Sequence, residues 1–211
     1  MKSLGILAAL FAMSLAPVAL GIDQISCLAA KSKFADCSAK AHELGLPARE
    51  CLNADSGFVD CITLQGDEFV RSCLGAKGQY KWCRQNTSLL HADCLRADSG
   101  FQACVEMTSQ PELCLGAKGG YKACRDESAL RGHQQCFSAD NGYKACRDAG
   151  GDEITCLGAR RSFAYCHATD HQSIIFCTQV GKGYQECRQE GFPLGTCYRA
   201  DQGFAACARS H

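Results

Sequence analysis

The chain has 211 residues with 22 basic and 22 acidic side chains, a formal net charge of zero and 18 cysteines. That balance excludes a nucleic-acid-binding face built on excess positive charge, and equally an acidic solvating tail, because neither has the sign excess that long-range interaction needs. No nucleic-acid partner is therefore expected.

In chain order, residues 1–21 carry an early positive charge at Lys2, an apolar run from Leu4 to Leu20, and a small-residue exit at Ala19 and Gly21. This three-part pattern predicts a secretory signal peptide removed after Gly21. Pro17 interrupts the run, which is shorter than the roughly 20 residues a spanning helix needs, so no membrane span is expected. Residues 22–211 retain all 18 cysteines. Dense, even-numbered cysteine on an exported chain predicts nine disulfides and a secreted, extracellular protein. Metal binding favours close pairs such as C-x2-C, of which there are none, and neither a metal nor a cofactor is expected.

The cysteines fall in nine pairs: Cys27 and Cys37, Cys51 and Cys61, Cys73 and Cys83, Cys94 and Cys104, Cys114 and Cys124, Cys136 and Cys146, Cys156 and Cys166, Cys177 and Cys187, Cys197 and Cys207. Nine residues separate the members of every pair, while the connectors between pairs vary from nine to thirteen. Numbering each eleven-residue module from its first cysteine, position 4 is Ala in eight modules and Val180 in the other. Position 8 is aromatic in all nine, from Phe34 and Phe58 to Tyr184 and Phe204. The chain is a tandem repeat of C-x2-[AV]-x3-[FY]-x2-C. The segments CLGAKGQYKWC at 73, CLGAKGGYKAC at 114 and CLGARRSFAYC at 156 add a longer period, which predicts two-module units of about 42 residues. That period loses phase at CYRADQGFAAC, which begins at Cys197.

Two folds fit the module. In a helix, positions 1, 4, 8 and 11 fall at about 0°, 300°, 340° and 280° around the axis, one narrow stripe that packs against a neighbour. The two cysteines are then about 15 Å apart along the axis and must bond to other helices. In a β-hairpin folded about position 6 they face one another, and the six glycines at position 7 suit a left-handed loop residue. Beyond residue 21 there are 24 Ala but only 4 Val, 6 Ile and 7 Thr, which favours helix. Pro47, Pro111 and Pro193 precede first cysteines where a helix's opening turn accepts them. Ser109 with Glu112, and Thr169 with Gln172, have capping-box spacing. Arg84, Arg125, Arg147 and Arg188 follow second cysteines, where cations suit helix ends. The expected fold is all-α, a disulfide-rich tandem repeat of short antiparallel helices, with tandem disulfide-closed β-hairpins as the alternative.

The fixed spacing and the aromatic three residues before each second cysteine resemble the twin C-x9-C motif of coiled-coil-helix-coiled-coil-helix proteins, in which two disulfides join two antiparallel helices. Members of that family are usually a single hairpin without a signal peptide. The resemblance implies a disulfide pattern and carries no activity. Applied pairwise, it implies Cys27–Cys61 with Cys37–Cys51, Cys73–Cys104 with Cys83–Cys94, Cys114–Cys146 with Cys124–Cys136, and Cys156–Cys187 with Cys166–Cys177, leaving Cys197 and Cys207 stranded. A ladder from each second cysteine to the next first cysteine strands Cys27 and Cys207 instead. Hairpins leave nothing over.

Signals for catalysis are sparse. Six histidines, at 42, 91, 133, 167, 171 and 211, share no module position, and no hydrolase, zincin or phosphate-loop motif is present. The chain is expected to be no enzyme. His167 and His171 would share a helical face beside Asp170 and could hold a metal, although solvated linker histidines are the plainer reading. Position 5 alternates between acid (Asp55, Asp98, Asp140, Asp201) and base (Lys31, Lys77, Lys118, Arg160), a charge pattern along the array or simply a solvated face. Trp82 is either an exposed contact or core filling. Together these features predict a secreted, non-catalytic, disulfide-stabilised repeat protein that binds an extracellular macromolecule or matrix. The alternatives are a secreted effector or toxin acting on another organism, and thiol or metal buffering.

Overall fold

A computed structural model describes residues 22–127 and 132–210; segment 1–21, for which a signal peptide is expected, lies outside the described residues. The described residues form short helices and contain no strand, so the hairpin alternative falls and the fold is all-α. A module is nevertheless not one continuous helix. A lead helix closes on or just after the first cysteine, as in Gln24–Cys27, Val70–Cys73, His91–Cys94, Pro111–Cys114, Ile174–Cys177 and Leu194–Cys197. The second module uses a 3-10 helix, Ala48–Asn53, for the same purpose. A trail helix then begins on the aromatic residue in every module, for example Phe34–Lys40, Phe58–Gln65, Tyr80–Asn86 and Phe101–Thr108.

The break between them is written in positions 5 to 7. In four modules the position-5 aspartate accepts the amide hydrogen of the next residue: Asp55 from Ser56 (2.7 Å), Asp98 from Ser99 (2.7 Å), Asp140 from Asn141 (2.8 Å) and Asp201 from Gln202 (2.8 Å). That side-chain bond competes with helix continuation and turns the chain. The aromatic amide then donates to the position-5 carbonyl, as Phe58 does to Asp55 at 2.9 Å, and the trail helix starts. Position-7 glycine is not left-handed; Gly100 has φ −95°. It is glycine because a Cβ there would lie 2.0 Å from the Lys118 carbonyl oxygen of the next module. The same close approach recurs at Gly57, Gly142 and Gly203.

All eighteen cysteines are paired, and every disulfide crosses between modules. Eight form the ladder from second cysteine to next first cysteine, beginning with Cys37–Cys51 and Cys61–Cys73 and ending with Cys187–Cys197. The two cysteines that a ladder strands, Cys27 and Cys207, bond to each other across 180 residues with a Cα–Cα distance of 5.5 Å. The array is a closed ring. Four bonds that the resemblance implies are present, Cys37–Cys51, Cys83–Cys94, Cys124–Cys136 and Cys166–Cys177. The other four, including Cys27–Cys61 and Cys73–Cys104, are overturned, because every trail helix meets the next module's lead helix.

A backbone pair repeats at most seams. Position 5 donates to the position-2 carbonyl of the following module, and position 7 to its position-4 carbonyl, as in Asp55 to Leu74 and Gly57 to Ala76, both 2.9 Å. The closing seam uses the same pair, Asp201 to Leu28 at 2.9 Å and Gly203 to Ala30 at 2.7 Å. Inside the ring, the cysteines, the position-4 residues and the position-8 aromatics are each at most 2% exposed. Helices of four to eight residues do not persist alone in water, so stability rests on this shared core and on the disulfides, each contributing about 2–4 kcal/mol.

The connectors differ from expectation in detail. Pro111 opens its lead helix, and Pro193 and Pro47 stand immediately before theirs. Neither capping box forms. Ser109 is the left-handed C-cap of the preceding trail helix (φ 58°), and Thr169 likewise ends a trail helix. With a connector this short, the end of one helix takes the position the motif would use to begin the next. Side-chain caps come from Asp23, Asp152 and Ser173. Arg84, Arg147 and Arg188 donate from Nη1 to the connector carbonyls of Leu89 (2.7 Å), Gly151 (2.5 Å) and Phe192 (2.7 Å), each five residues before the next cysteine. The connector after Arg125 includes residues 128–131, which lie outside the described residues.

Candidate functional site

Because every module turns at positions 5 to 7, those residues converge at the ring's centre. A cavity of about 180 Å³ is lined there by Asp55, Lys77, Asp98, Asn141, Lys182 and Gln202, among others, drawn from the second, third, fourth, sixth, eighth and ninth modules. The alternating charges of position 5 thus form a belt around a polar hub. Asp55 sits between two bases, 2.7 Å from Lys77 Nζ and 3.3 Å from Lys31 Nζ. Burial pushes its carboxyl up, but the Lys77 hydrogen bond, the Ser56 amide and both positive charges outweigh that and hold it below the ordinary carboxylate range. For Lys77 burial pulls downward, yet Asp55 bonding and the charges of Asp55, Asp98 and Asp201 leave it raised. Lys118 and Asp140 approach to 4.0 Å.

A ring of nine charges cannot alternate without two like charges meeting. Gly181 occupies the odd place, between Arg160 and Asp201. The phase slip in the sequence has the same origin, since the ninth module adjoins the first and sets Asp201 in the place beside Lys31. Around Gly181 a second cavity of about 270 Å³ opens, lined by Lys31, Arg160, Lys182, Arg199 and Asp201 together with Asn53 of the second module and small or apolar residues. The seam between the seventh and eighth modules lacks the repeating backbone pair among the described residues, and only Ser162 Oγ donating to the Lys182 carbonyl (2.8 Å) stands in its place. Val180, the one position-4 residue larger than alanine, lies at this seam.

Toward the rim, the tyrosine hydroxyls reach the connectors. Tyr80 bonds His91 Nδ1 at 2.7 Å and Tyr121 bonds His133 Nδ1 at 2.5 Å. These two histidines share a connector register, three residues before a first cysteine, outside the eleven-residue module. Tyr184 donates to Asp170 at 2.5 Å, and burial, then Asp170, drives its hydroxyl upward. Two further cavities of mixed lining, about 310 Å³ and 250 Å³, lie beside Leu44, Val59 and Ile62 with Asp36 and Lys40, and beside Met107, Leu113 and Phe137 with Gln110 and His133.

His167 and His171 do not form a paired face. The helix ends at Ala168, His171 is left-handed (φ 52°), His167 Nδ1 contacts the Gln172 carbonyl at 2.9 Å, and Asp170 is committed to Tyr184 and Arg188. No cluster of three metal-ligating side chains occurs among the described residues. Trp82 is half-buried with its ring edge-on to Phe101 at 5.7 Å, so it packs on the core. No helix among the described residues is long and apolar enough to cross a membrane. No family model matches the chain, no curated protein matches it, and no solved structure matches it.

Proposed function

We propose that the chain is a secreted, non-catalytic binding ring, in which a uniform disulfide-locked core presents variable connectors to an extracellular macromolecule or matrix. The observation that carries this reading is the Cys27–Cys207 bond, which turns nine marginal modules into one covalent cycle. Nine disulfides suit an oxidising compartment. Binding residues concentrate on loops held by rigid scaffolds. Here the hub repeats from module to module while connectors differ in length and sequence and expose Leu90 (71%) and Leu113 (57%). Thiol buffering has no support, since each cysteine is committed to a disulfide.

The test is affinity capture from extracellular fractions on the immobilised oxidised chain, run beside a toxicity assay. Saturable capture of one component, lost when the bait is reduced, is the expected result. Toxicity to other cells with no such capture would overturn the reading in favour of an effector.

A further inference from the structure

The belt of position-5 charges is neutral as a whole, with four bases and four acids, but its charges are not evenly satisfied. At the second and third modules the acid and bases are within ion-pair distance. At Gly181 the belt has no position-5 acid to pair with Arg160, and the next one, Asp201, makes no ion pair with it. Two further cationic residues line the same cavity at positions that are uncharged in most modules, Lys182 at position 6 and Arg199 at position 3. Among the described residues none of these three has a carboxylate within ion-pair distance; Asp201 is the single carboxylate among the lining residues, and Lys31 at the edge is already paired with Asp55. In the four aspartate modules the position-6 amide is taken by the aspartate side chain. Gly181 has no side chain to do this, and the Lys182 amide has no acceptor among the described residues.

We propose that this mouth binds a compact oxyanion, a sulfate or phosphate group, with Arg160, Lys182 and Arg199 as its cationic contacts. Three cationic residues lining one concave opening suit a tetrahedral anion, because guanidinium groups bond its oxygens in a fork and the ammonium adds a point charge. The two arginines are exposed and Lys182 is half-buried, so ligand reaches them from solvent. Glycine at 181 is what keeps the site open: an aspartate there would supply the missing acid, and any Cβ would lie 2.1 Å from the Ala200 carbonyl oxygen. The site deepens the binding-ring reading, and rests on it only for the case in which the anion is carried by a polymer.

The experiment is calorimetric titration of the oxidised full chain with inorganic phosphate, inorganic sulfate and a sulfated oligosaccharide. Arg160→Gln, Lys182→Gln and Arg199→Gln are compared with Lys122→Gln, whose cation is paired with Asp126 on a trail helix. We expect one saturable site that weakens with added salt, with each of the three substitutions costing about tenfold in affinity and the control costing nothing. Binding of the free ions identifies a small-ion site; tighter binding of the oligosaccharide, lost in the same variants, identifies a polymer-borne sulfate. No saturable binding of any of the three, or binding unchanged in all three variants, would overturn the site while leaving macromolecular capture to stand or fall by its own test.

Discussion

At the scale of single residues, the two Tyr–His contacts show how a connector is fastened to the module before it. His91 accepts or donates through Nδ1 to Tyr80 and lies edge-on to Phe69 at 5.7 Å, with Ser72 Oγ 3.5 Å from Nε2 and the Arg84 charge nearby. Burial, then Arg84, lowers its affinity for a proton. The folded protein therefore binds a proton here less readily than the unfolded chain. Stability is fully present above the unfolded histidine value of about 6.5 and declines as pH falls through the folded one. Denaturant unfolding at neutral and mildly acidic pH should show that decline, and His91→Gln should flatten it; an unchanged slope would remove His91 as its source. The glycines give a sharper contrast. Gly100→Ala places a methyl 2.0 Å from a backbone oxygen and should cost about 1–3 kcal/mol, whereas Gly116→Ala meets nothing within 4 Å and should stay within about 0.5 kcal/mol of neutral.

At the scale of elements, each connector is a clamp between a trail helix and the next lead helix. In the connector after the seventh module, Asp170 accepts from Tyr184 and from Arg188, whose Nη1 also holds the Phe192 carbonyl of the connector beyond. Burial raises the Asp170 carboxyl, but the Tyr184 and Arg188 bonds overcome it and leave the group lowered. Its stabilisation is present above the ordinary carboxylate range and lost as pH falls through the depressed value. Asp170→Asn should cost about 1–3 kcal/mol in chemical unfolding at neutral pH, and a variant as stable as the parent would show the clamp to be ornamental. The sequence placed the arginines near helix ends without revealing these partners. A side chain after a second cysteine reaches a carbonyl of the connector that leads into the next helix, and that distance exists only once the disulfide has set the two helices together.

At the scale of the whole molecule, the ring decides how the protein tolerates damage. A cut in a connector is spanned by that connector's own disulfide, but a cut between the two cysteines of one module is spanned only by Cys27–Cys207. A single cleavage after Lys118, for example, should leave the native chain in one piece on a non-reducing gel. The Cys27→Ser, Cys207→Ser double variant should fall into two fragments after the same cut and lose about 2–4 kcal/mol of stability when intact. Release of fragments from the parent chain would contradict the closed connectivity.

The fixed spacing, the alanine and the aromatic were legible in the residues because the spacing and the aromatic recur nine times and the alanine eight, each buried for the same local reason at each recurrence. Composition favoured the all-α class, since alanine is a strong helix former and β-branched residues are scarce, but it left hairpins open until the helices themselves were seen. Closure was not legible. Whether Cys27 and Cys207 are stranded or joined depends on the small rotation between successive modules summed nine times, a quantity no single module encodes. The hub and its mouth share that origin: Arg160, Lys182 and Arg199 lie in three modules, and only the curvature of the ring brings them to one opening.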